Sequence, residues 1–130
     1  MIIRKATVED ISTIAREVEA RKMFWHTPEH VRQDVNNSAC FISEENGEIL
    51  GCTSVVYKPH RGYHAITRGV NFSNRKGVAS AIIDAIIALG FEKLGATPWD
   101  DNPAAYMVFE KKGFKFQYQF GHYKFYQYNA

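Results

Sequence analysis

SNRKGVASAIIDAIIALGFEKLG, residues 73–95, decides the fold. It opens on a polar, basic glycine turn and runs into a helix whose apolar positions Val78, Ile82, Ile83, Ile86 and Leu89 recur at helical spacing. Before it, YHAITRGVNF (63–72) alternates as a strand. After it, ATPWDDNPAAYMVFEKKGF (96–114) gives a short strand over 96–99 and a helix started at Asn102–Pro103 and stopped at Gly113. Two strands joined through a long helix run parallel, with a right-handed crossover. A basic glycine turn at a helix N-terminus holds phosphate, because backbone N–H groups point outward there and the helix dipole favours an anion.

Working outward, the spacing predicts a helix over 77–94 with Gly95 as its cap residue, and Gly90 inside it costs about 1 kcal/mol relative to alanine. Pro98 cannot donate to a ladder, which argues against a fully paired strand there. Towards the N-terminus, Ile2 to Lys5 reads as a strand. Thr7 and Asp10 have capping-box form, and Val8, Ile11, Ile14, Ala15 and Val18 carry a helix to about Lys22. Thr27–Pro28 starts a shorter helix with a thin apolar face, Val31 and Val35. Runs 40–43 and 49–58 are strands turned by Asn46–Gly47, a strong hairpin signal. Towards the C-terminus, Phe114, Phe116, Tyr118 and Phe120 alternate with polar residues, and a last run, 123–128, returns after Gly121–His122. The order β-α-α-β-β-β-α-β-α-β-β describes an α/β (α+β mixed) fold, a mixed sheet of about 6–7 strands covered by about four helices.

The bulk numbers exclude several classes. With 130 residues the chain makes a single domain, 1–130, with one small core. No apolar run reaches the ~18 residues of a membrane span, and MIIRKATVED has no apolar region of the secretory type, so neither membrane nor export is expected. Cys40 and Cys52 sit in apolar strand-like runs and read as buried reduced thiols of a cytoplasmic protein, with no metal site. A net charge of +2 does not suggest nucleic acid. Yet Lys58, His60, Arg61, His64, Arg68, Arg75 and Lys76 cluster, either as a solvated face or over a polyphosphate.

Two motifs carry a resemblance. Asn74-Arg-Lys-Gly-Val-Ala79 is similar to the acyl-CoA pyrophosphate loop Gln/Arg-x-x-Gly-x-Gly/Ala, and 102–114 is similar to the helix pattern Asn-x-x-Ala-x-x-x-Tyr-x-x-x-Gly-Phe. In this order and topology, over nearly the whole chain, they resemble the GCN5-related N-acetyltransferase superfamily. The resemblance implies a splay between the two central parallel strands, with the pantetheine arm of acetyl-CoA lying in the gap. It implies that backbone groups near Val70 and Phe72 bind that arm, a backbone N–H around Phe72 polarising the thioester carbonyl. It implies that the amides of Lys76, Gly77, Val78 and Ala79 cradle the pyrophosphate, and that Arg75 and Lys76 add charge. Pro98 then lies where pairing is not needed. Asn102 either reaches the arm or only caps its helix.

The implied chemistry is acetyl transfer from acetyl-CoA to a primary amine, of a small molecule or an exposed peptide end, in a ternary complex. Three positions depart from the pattern. Asn74 stands at the loop's first position. Phe109 replaces the tyrosine that often protonates the thiolate; it can pack against the arm but gives no proton. Tyr106, one turn away, or water are the alternatives. The strand before the loop has no glutamate base and offers His64 and Arg68 instead; Asp100 and Asp101 end the next strand or merely lead into the Asn102 cap, and water acting alone is the remaining alternative. The absent hydroxyl leaves a second reading open, a CoA-binding or interaction module without strong turnover. Met23 to His26, Tyr118 and Tyr123 are expected on the acceptor side, and the aromatic hairpin also suits a homodimer contact.

Overall fold

The computed structural model describes residues 1–129. Seven strands form one mixed sheet in the order β1-β2-β3-β4-β5-β7-β6. β1 is Ile2–Lys5, β2 Cys40–Glu45, β3 Glu48–Lys58, β4 Tyr63–Asn71, β5 Leu94–Ala96, β6 Phe114–Phe120 and β7 Tyr123–Tyr128. The helices are α1 Ile11–Ala20, entered through a 3-10 turn at Val8–Asp10, then α2 Pro28–Asn36, α3 Val78–Ala88 and α4 Pro103–Lys111. β4 and β5 are parallel, as the connecting helix requires, and every other pairing is antiparallel.

Strand alternation sends side chains to two layers. On β2, Cys40 and Ile42 join Ile14, Val18, Val31 and Val35 under α1 and α2. Phe41 between them faces the opposite layer, with Val78, Ile82, Ile86, Phe109, Phe114 and Tyr126 under α3 and α4. The starts of α2 and α4 follow their caps: Thr27 Oγ1 accepts from His30 N–H (3.4 Å), and Asn102 Oδ1 accepts from Ala105 N–H (3.3 Å). Asn46 and Gly47 both have positive φ, 52° and 80°, as a tight hairpin turn demands.

Two of the boundaries that differ from the sequence reading bear on the site. α3 ends at Ala88, because Gly90 adopts φ 76° and its N–H closes on Ile87 C=O (3.1 Å). Gly90 is thus the terminator, and Gly95 lies inside β5. There it serves close approach: a Cβ on Gly95 would lie 2.8 Å from the Phe125 ring and 3.0 Å from that of Tyr63. The strand itself is Leu94–Ala96 rather than 96–99.

Candidate active site at the opening between β4 and β5

β4 and β5 pair only through His64–Leu94, Ala65–Gly95 and Ile66–Ala96. Beyond Ile66, β4 runs on along β3 to Asn71, paired with Gly51. Beyond Ala96 the other chain stays with β7: Trp99 bridges Tyr123, and Lys124 N–H donates to Pro98 C=O (2.9 Å). The sheet therefore opens into a wedge at its centre. Pro98 corrects one expectation. The register places it opposite Lys124, so its missing N–H removes a bond to β7, not one on the wedge side.

β4 carries a bulge at the head of this wedge. Cys52 pairs with Val70 and Ser54 with Thr67, so Arg68 and Gly69 together oppose Thr53. Arg68 has φ 53°. Its guanidinium forks onto Asp34 of α2, Nε to Oδ2 at 2.8 Å and Nη2 to Oδ1 at 2.7 Å. Asp34 is buried and also accepts from Ser54 Oγ (2.7 Å). His26, on the segment joining α1 to α2, is buried too, and its Nδ1 has no hydrogen-bond partner among the described residues. Burial, with the Arg68 charge second, pushes its imidazole down to about 4. This cluster escaped the sequence reading. Arg68 and His26 stood out separately in the sequence, but nothing in it tied them to Asp34.

Below the bulge, the Phe72 N–H donates to Leu50 C=O (2.8 Å), so this group is turned to β3 and a donor around Phe72 on the wedge side is a neighbouring one. Alternation in an antiparallel ladder instead turns the N–H and C=O of Asn71 to the open side. The Phe72 C=O accepts from Arg21 Nη2 (3.2 Å), and the Arg21 guanidinium covers the Phe72 ring at 4.9 Å. The Val70 and Phe72 side chains pack towards α1 and α2.

The turn after β4 is tied by Asn71, whose Oδ1 accepts from Ser73 N–H (2.9 Å) and whose Nδ2 donates to Arg75 C=O (2.9 Å). Gly77 caps α3 with φ 84°, and a Cβ there would meet nothing within 4 Å. The first intrahelical bond runs from Ala81 N–H to Gly77 C=O (2.9 Å), so the N–H groups of Val78, Ala79 and Ser80 lack intrahelical acceptors. The Val78 side chain is buried against Gly51, where a Cβ would come 2.8 Å from it. Lys76 is exposed, and Arg75 pairs with Glu45 of the β2–β3 hairpin.

The remaining residues are spread around this frame. Asn102 caps α4. Phe109 is buried against Phe114, ring centroids 5.2 Å apart. Tyr106 stacks on Tyr126 at 6.4 Å and lies under Lys124 Nζ, 4.1 Å from its ring centre. His64 lies in the paired part of β4 between Tyr57 and Phe91, four residues or about 13 Å along the strand from Arg68. Its ring neighbours are not those of Tyr106. Phe24 packs on Trp99 (5.7 Å), and Trp99 stacks on His122 (5.9 Å), so the α1–α2 segment meets the β6–β7 turn at the wedge mouth. Among the described residues no cluster of metal-ligating side chains occurs, and no helix is long and apolar enough to cross a membrane.

Residues 5–114 match the Acetyltransferase (GNAT) family, and the chain belongs to it. Solved structures agree in fold. An acetyltransferase of the GNAT family from Streptococcus agalactiae superposes with TM-score 0.81 at 15% identity, covering 98% of this chain and 94% of that one. One from Bacillus cereus gives 0.79 at 14%, covering 97% and 94%. The diaminobutyrate acetyltransferase of Paenibacillus lautus, in complex with L-2,4-diaminobutyric acid and coenzyme A, gives 0.75 at 16%, covering 97% and 92%. Among curated proteins there is no significant match.

Proposed function

We propose that the chain transfers an acetyl group from acetyl-CoA to a primary amine, of a small molecule or an exposed peptide end, by direct attack within a ternary complex. One observation carries this reading: a wedge in the sheet leads, along β4, into a helix N-terminus with free amides. The amides of Lys76 to Ala79 take the pyrophosphate, with Gly77 allowing close approach. Arg75 and Lys76 face the remaining phosphate. The pantetheine arm lies along Val70 to Phe72, between them and the α4 residues Asn102 and Phe109. The amine nitrogen attacks the thioester carbon, the carbon–sulfur bond breaks, and CoA leaves as thiolate. A backbone N–H of the bulged strand polarises the carbonyl. Tyr106 or water returns a proton to the thiolate, an undemanding task for a thiol of pKa about 8.5. Water takes the proton from the amine, since His64 is remote from the bulge. Two buried thiols suit a reducing, cytoplasmic setting.

Acetyl-CoA raising the melting temperature of the wild type, and not of Gly77→Glu, is the expected result. An equal shift in both would remove the phosphate site from α3. Phe109, buried and without a hydroxyl, favours a second reading, a CoA-binding module of weak turnover. Thiol release across a panel of amines separates the two: the enzyme turns over, the module binds and does not. β6 is a sheet edge with Phe116 48%, Tyr118 39% and Phe120 40% exposed, and we propose it as a homodimer contact. Sedimentation should show a dimer that Phe116→Asp splits; a monomeric wild type would end that proposal.

A further inference from the structure

We infer that Asp34 is a positioning residue for acetyl transfer: acting through Arg68, it holds the β4 bulge so that a backbone donor stays on the wedge side. The inference rests on the acetyl-CoA reading above. The positive φ in this bulge falls on Arg68, although the next residue is a glycine that could adopt it at no steric cost. A residue with a Cβ adopts that conformation only against a steric penalty, so something must hold it there. The fork of two bonds to Asp34 does so, and Asp34 is fixed in turn by Ser54. Gly69 has a different task. A Cβ there would lie 3.2 Å from Thr53 Oγ1, so its lack of a side chain keeps β3 and β4 together across the bulge.

The pair also joins two layers. Asp34 belongs to α2, whose first turn follows the segment that carries Phe24 to the wedge mouth; Arg68 belongs to the strand that would present the donor. His26, from the same segment, is packed close enough for both charges to act on its imidazole. Movement of the α1–α2 segment therefore reaches the bulge through one carboxylate. Breaking the fork releases Arg68 to the extended region, rotates the adjacent peptide units, and withdraws the donor from the thioester oxygen without touching the α3 amides.

The test uses Asp34→Asn with [1-13C]acetyl-CoA. In the wild type, isotope-edited infrared spectra should show the thioester carbonyl shifted to lower frequency on binding. In Asp34→Asn the shift should fall towards that of free acetyl-CoA, and kcat for thiol release by about 100-fold, while the affinity for CoA and the KM for acetyl-CoA change by less than about twofold. Asp34→Asn combined with Arg68→Gly should recover about tenfold, since glycine adopts the positive φ without steric penalty. Should Asp34→Asn not fold, Arg68→Lys, which keeps the charge and loses the fork, takes its place. A folded Asp34→Asn protein with wild-type carbonyl shift and kcat overturns the inference, as does a double variant no better than the single one. A wild type that binds no acetyl-CoA overturns the donor reading itself, a result distinct from either.

Discussion

The rings of His26 and His30 lie 6.4 Å apart, centre to centre, yet their nitrogens live in different worlds. His30 Nδ1 accepts from Thr27 N–H at 3.1 Å, completing the cap of α2. His26 is 2% exposed, and its Nδ1 is unpaired among the described residues.

Folding thus holds His26 neutral, and stability should record it. Its folded value is about 4 against 6.5 for the free group, so between these values the unfolded chain binds the extra proton. Stability is unaffected by this group above pH 6.5 and falls as pH drops towards 4, by something on the order of 3 kcal/mol. Urea unfolding of the wild type and His26→Gln at several pH values is the measurement. Glutamine does not titrate, so the wild type should lose stability faster on acidification. Parallel profiles would show that the imidazole is charged in the fold.

Gly95→Ala should destabilise the protein by about 1–3 kcal/mol, since its Cβ would enter the Phe125 ring at 2.8 Å and approach Tyr126 C=O at 3.1 Å. Gly69→Ala, whose one tight contact would be Thr53 Oγ1 at 3.2 Å, should lose less. Thermal unfolding of the two gives the order, and the reverse order would contradict the packing described for β5.

Glu45 pairs with Arg75, so a phosphate must compete with this carboxylate for the guanidinium. An exposed pair of this kind is worth about 0.2–1 kcal/mol, so Glu45→Gln should tighten CoA binding up to about fivefold. Titration calorimetry with CoA and with dephospho-CoA checks it. A gain confined to CoA places Arg75 at the 3′-phosphate; no gain with either ligand removes Arg75 from the site.

Much of this architecture was legible because the signals are local. Thr27–Pro28, Asn102–Pro103 and Asn46–Gly47 start two helices and a hairpin through bonds within a few residues of chain, so the sequence alone announces them. The end of α3 was not legible. Leu89–Gly90 and Leu94–Gly95 look alike in sequence, and only the rings of Tyr63 and Phe125, distant in the chain, decide which glycine stops the helix and which packs in the strand. The wedge was legible through the two motifs, whereas the bulge was not. Arginine is a poor candidate for positive φ, and its reason, Asp34, lies 34 residues away. Glycine at 69 inside a strand pattern was the one hint available. Phe72 shows the same limit. A strand's alternation tells which way its side chains point, but the partner of its N–H depends on a register that the bulge resets.

The short ladder between β4 and β5 has a consequence for how the molecule holds together. Strands β1–β4 and helix α3 form one sequence-contiguous block with α1 and α2, while β5–β7 and α4 form another. Three parallel pairs, the shared core, the Lys112–Asp84 ion pair at 2.7 Å and side-chain contacts such as Phe24–Trp99 and Arg61–Tyr118 join the two blocks. Each is a natural cooperative unit for local opening. Exchange of amide hydrogens along β5 should then report the relative motion of the blocks, and a molecule lodged between β4 and β5 would act as a clasp that slows it.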